Sequence, residues 1–88
     1  MPVISVFFGI VVRMWHDDHP PPHIHVQYQE FEALVNIRTG DVIAGRLPYR
    51  VQAIVRGWCK RHHAALLANW ELAQRFEPTE RIPGADHD

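Results

Sequence analysis

The chain is short of cysteine, of sustained apolar runs and of net charge, and each shortage removes a class of protein. Cys59 is the only cysteine among 88 residues, so no internal disulfide can form, and a reduced compartment is expected. No apolar stretch approaches the roughly 20 residues that cross a bilayer, which argues against a membrane partner. Met1-Pro2-Val3-Ile4-Ser5 has no basic region ahead of its apolar run and no small-residue cleavage site, so the expected location is cytoplasmic. Net charge is −1 with histidine neutral, and the overall field therefore selects no partner.

What is present is a small globular chain. A hydrophobic content of 47% excludes general disorder, and the length suits one domain. Residues 1–76 are expected to form it, with the Pro- and Gly-containing 77–88 as a flexible tail. A core of this size gains from a second chain, so a homo-oligomer or a cognate partner is expected to add stability.

The densest chemistry lies in His16-Asp17-Asp18-His19-Pro20-Pro21-Pro22-His23-Ile24-His25, which holds four of the seven histidines. His23 and His25 are two apart. On a strand their imidazoles project from one face, roughly 6.5 Å apart along the backbone. Such a pair can grip a metal ion or act as acid and base on one substrate. For a metal, His19, His23 and His25 with Asp18 or Asp17 supply nitrogens and a carboxylate suited to zinc or iron(II). For catalysis on RNA, His23 and His25 would take and give the proton. Arg13, Arg46 or Arg50 would then neutralise the phosphate. The plain alternative is that these histidines only tie the proline-rich turn to the sheet.

Six cations, Arg38, Arg46, Arg50, Arg56, Lys60 and Arg61, stand between residues 38 and 63 against the single acid Asp41. Arg50, Arg56, Lys60 and Arg61 are candidates for contact with RNA, DNA or an acidic partner. Most such runs are merely solvated faces. His62 and His63 are adjacent, about 100° apart on a helix, and cannot easily share a ligand. Cys59 reads as a small buried hydrophobe.

Residues 3–15 are rich in β-branched and aromatic types and predict one or two strands, with Gly9 at a bulge or bend. Residues 23–29, 31–37 and 42–46 predict further strands, with turns at Gln29-Glu30 and at Arg38-Thr39-Gly40-Asp41. After Pro48, the stripe Val51, Ile54, Val55, Trp58, His62, Leu66, Trp70 and Ala73 has helical spacing. The expected fold is α+β, a three- or four-stranded antiparallel sheet followed by one long or two short C-terminal helices. A turn near His62-His63 is preferred, because a helix of roughly 28 residues is long for a small domain.

A resemblance follows from these residues. Phe8-Gly9-Ile10, Asp18-His19, Pro21-Pro22-His23-Ile24-His25-Val26, Tyr28, Gly40, Gly45-Arg46-Leu47-Pro48, Trp58 and Leu67-Ala68-Asn69-Trp70 resemble the bacterial domain-of-unknown-function 4160 family. The likeness runs from Pro2 to about Arg75. Pro20 departs from the usual Asn and Gln29 from the usual Gly; neither removes a candidate histidine. The resemblance implies a small cognate protein of the domain-of-unknown-function 2442 type, encoded next door, and a two-protein module of toxin–antitoxin type.

Overall fold

The computed structural model describes residues 2–16 and 18–86. Five strands, β1 (Val3–Phe7), β2 (Ile10–Arg13), β3 (His23–Tyr28), β4 (Phe31–Asn36) and β5 (Val42–Gly45), are followed by helices α1 (Tyr49–Arg61) and α2 (His63–Gln74). The strands form one antiparallel sheet in chain order. The fold is thus α+β, as expected, with five strands where three or four were expected. Of the one or two strands expected over residues 3–15, two form, joined by a two-residue hairpin turn at Phe8-Gly9 with φ values of 52° and 75°. Phe gives no sequence warning of a positive φ.

Period-two alternation builds the two faces. Ile4, Phe7, Ile10, Val12, Ile24, Val26, Ala33 and Val35 are buried. They form one core with Val51, Val55, Trp58, Leu66 and Ala73 of the helices. The rings of Phe7 and Trp58 lie 5.1 Å apart. The opposite face carries Arg13, Trp15, His25, Gln27, Glu32 and Leu34, side chains that are half-buried or exposed.

Two short helices form, as preferred from the sequence. His62, at φ −110° and ψ 27°, ends α1 and precedes α2. The turn gives α2 its own buried set, Leu66, Asn69, Trp70 and Ala73. No described helix is long and apolar enough to cross a membrane.

Residues 80–83 make hydrogen bonds to the sheet and the helices. The Asn69 side chain donates to Glu80 O and accepts from Glu80 N, both at 2.8 Å. Ile82 N donates to Ile4 O at 2.8 Å, Ser5 Oγ to Ile82 O at 2.8 Å, and Trp58 Nε1 to Pro83 O at 2.9 Å. Ile82 is buried. Polar composition conceals this, because the partners lie far off in the chain.

Candidate metal centre and adjoining groove

The cluster begins with β3. Ile24 and Val26 enter the core, so His23 and His25 share the other face, and their rings lie 5.2 Å apart. His23 stands at the first residue of the strand, buried against Trp70 at 5.3 Å between rings. His25 is half-buried, with Trp15 edge-on at 5.6 Å. The segment from residue 18 to residue 22 includes a cis peptide between Pro20 and Pro21. It folds back so that Asp18 Oδ2 lies 2.9 Å from Nε2 of both His23 and His25. Gln74, from the last turn of α2, donates to the Asp18 carbonyl at 2.9 Å and fastens the loop from the far end of the chain.

Hydrogen bonding assigns the tautomer of His23. Its Nδ1 lies 2.8 Å from Pro21 O. A carbonyl can only accept, so Nδ1 carries the proton. A neutral His23 therefore turns a bare Nε2 lone pair toward the Asp18 carboxylate, and two acceptors at 2.9 Å repel. A proton or a metal ion placed between them turns that repulsion into attraction. Backbone anchorage of the remote nitrogen is the usual outer support of a metal-bound histidine.

The spacing fits a metal. Bonds of about 2.0–2.2 Å put adjacent donors about 2.9 Å apart in a six-coordinate site and about 3.3–3.6 Å apart in a tetrahedral one, so a small closing or opening of the cluster separates the two geometries. Asp18, His23 and His25 each offer one donor atom, all within 4.8 Å of one another. The same 2.9 Å also serves a hydrogen bond when Nε2 is protonated. For Asp18, burial raises the pKa. The hydrogen bond from His25, the His19 backbone N–H and the charges of His23 and His25 outweigh that, leaving the carboxyl below its usual 3.8. It is therefore an anionic ligand at neutral pH.

Several sequence candidates fall elsewhere. His19 contributes its backbone N–H to Asp18 Oδ1 at 3.0 Å, but its exposed ring is not part of the cluster. The chain leaves the cluster at Asp18 and returns at His23. Asp17, the alternative carboxylate, lies outside the described residues. Arg46 sits over the Phe31 ring at 6.0 Å, and Arg56 pairs with Asp41 at 2.8 Å. Arg50, Lys60 and Arg61 are exposed on α1, and the last two favourably oppose the negative end of its dipole. None of these joins the cluster. Burial pushes the Cys59 thiol up to about 12, which excludes a nucleophilic thiolate.

Arg13 does meet His25: the two are register partners across β2 and β3. It donates to Gln27 Oε1 at 2.8 Å. Beside them lies a groove of about 220 Å³, with Trp15, Glu32, Leu34, Ala44 and Gly45 among its walls. Trp15 and Gln27 were missed as site residues, although their spacing from Arg13 and His25 is the strand period of two. Gln74 had no local signal at all.

Fold and cluster together define a small α+β protein with a two-histidine, one-carboxylate constellation on an open sheet face. The chain belongs to the family described as a domain of unknown function (DUF4160), which matches residues 9–71. No curated protein sequence and no solved structure matches it.

Proposed function

We propose that Asp18, His23 and His25 bind one divalent transition-metal ion, and that metal binding is the working feature of this protein. The carrying observation is the Nδ1–Pro21 O contact, which leaves the His23 Nε2 lone pair facing Asp18 Oδ2 at 2.9 Å. Zinc and iron(II) both suit two imidazoles and a carboxylate, with the remaining positions open to water or a ligand. The test is zinc uptake by untagged, chelator-treated protein, followed by calorimetry and elemental analysis. One equivalent in the wild type, lost in His23→Ala and His25→Ala, is expected. Equal uptake by wild type and both variants, or none by any, would refute the reading.

A second reading keeps the two-protein module of toxin–antitoxin type, with a domain-of-unknown-function 2442 partner and RNA as substrate. The arrangement that favours it is Arg13 beside His25, a guanidinium next to an imidazole that can serve as acid or base. In that case induced expression of the wild type arrests bacterial growth, and the His23→Ala/His25→Ala double variant does not. Arrest by both proteins, or by neither, would count against it.

A further inference from the structure

The groove on the open sheet face has a charge pattern that the metal reading does not use. Arg13 and Glu32 both line it, and neither makes an ion pair with another described residue. β3 runs between their strands, and they stand at different registers, Arg13 opposite His25 and Glu32 opposite Gln27. Gln27 stands between them. It is the register partner of Glu32 and accepts the hydrogen bond that holds Arg13 in place. Apolar groups line it from two sides: Leu34 and Ala44 pair across β4 and β5, and Trp15, 41% exposed, follows β2 on the other side of β3. A cation, a neutral amide and an anion thus follow one another along an apolar floor.

We propose that this groove binds a small zwitterion with an apolar body, the chemistry of a free α-amino acid. The guanidinium fork of Arg13 matches a carboxylate. Glu32 takes the ammonium group, and Gln27 fills the space between with an amide that can donate or accept. The apolar side chain lies on Trp15, Leu34 and Ala44. A volume of about 220 Å³ limits the guest to a small molecule. His25, the register partner of both Arg13 and Leu34, lies in the middle of the floor, so the groove adjoins the cluster of Asp18, His23 and His25.

The probe is L-phenylalanine, titrated into nitrogen-15-labelled, chelator-treated protein and followed by NMR. Saturable shifts of the Leu34 and Ala44 amides and of the Trp15 indole N–H are expected. L-Phenylalaninamide, which lacks the carboxylate, and 3-phenylpropionate, which lacks the ammonium, should each bind about tenfold more weakly, the effect of one charge-assisted contact. Arg13→Ala should weaken L-phenylalanine about tenfold while leaving the amide unchanged. Glu32→Gln, an exposed and conservative change, should do the converse: weaken L-phenylalanine and leave 3-phenylpropionate unchanged. Equal binding of all three probes, or no saturable shift at these residues, would overturn the proposal. Repeating the titration on zinc-treated protein separates the two sites. Failure of zinc uptake with L-phenylalanine still bound removes the metal reading alone, and the reverse result removes this one alone.

Discussion

His23 and His25 stand two apart on a strand, and their rings share one carboxylate oxygen. His62 and His63 stand side by side where α1 gives way to α2. The His62 ring packs on Trp58 at 5.6 Å and finds no carboxylate among the described residues. Composition is the same at the two pairs. Backbone conformation decides the outcome: a strand returns side chains to one face every second residue, whereas His62 sits in the turn between two helices and His63 opens the second. The loop before β3 then brings an acid to the first pair, and no acid among the described residues pairs with the second.

The comparison breaks most sharply on metal uptake. His23→Ala or His25→Ala should abolish it, while His62→Ala and His63→Ala should retain one equivalent, measured by elemental analysis after gel filtration. Equal losses from both pairs would remove the distinction. Next in size is the support of the second pair. Trp58→Ala strips His62 of its packing partner, leaves Phe7 beside a cavity and removes the donor to Pro83 O. A loss of about 3–5 kcal/mol is expected in urea unfolding. A loss below about 1 kcal/mol would show that the helix layer is not packed as described.

A smaller effect separates the pairs by pH. Burial, with the Arg61 charge adding to it, lowers the pKa of His62 below 6.5. A histidine depressed in the folded state binds its proton better when unfolded. Its contribution is therefore present above pH 6.5 and is lost as pH falls through the lower native value. Chelator-treated wild type should lose stability between pH 7 and 5.5, and His62→Gln should lose less. An unchanged slope in the variant would contradict the assignment. Smallest of all is Arg75→Ala, which removes exposed pairs with Glu71 and Glu77 at 3.4 and 3.7 Å. A change within about 0.5 kcal/mol is expected, and a larger one would mean that this surface carries more than solvated charge.

The strand containing both site histidines was legible because apolar Ile24 and Val26 alternate with His23 and His25. The helix layer was legible from the stripe that begins at Val51. What escaped has no period. Residues 18–22 fold back through local turns, so spacing alone suggested His19 as readily as Asp18. The Phe8 turn depends on a positive φ that phenylalanine does not advertise. The contacts of Gln74 with Asp18 and of Asn69 with Glu80 join residues 56 and 11 apart, and no helical or strand pattern encodes them.

The central claim rests on one nitrogen. Imidazole nitrogen-15 NMR of chelator-treated protein, repeated after one equivalent of zinc, observes it directly. The account predicts His23 protonated at Nδ1 throughout, with the Nε2 signals of His23 and His25 moving to metal-bound positions on addition of zinc. A proton retained on His23 Nε2 in the presence of zinc would contradict it and leave Asp18, His23 and His25 as an ion-paired brace for the proline loop.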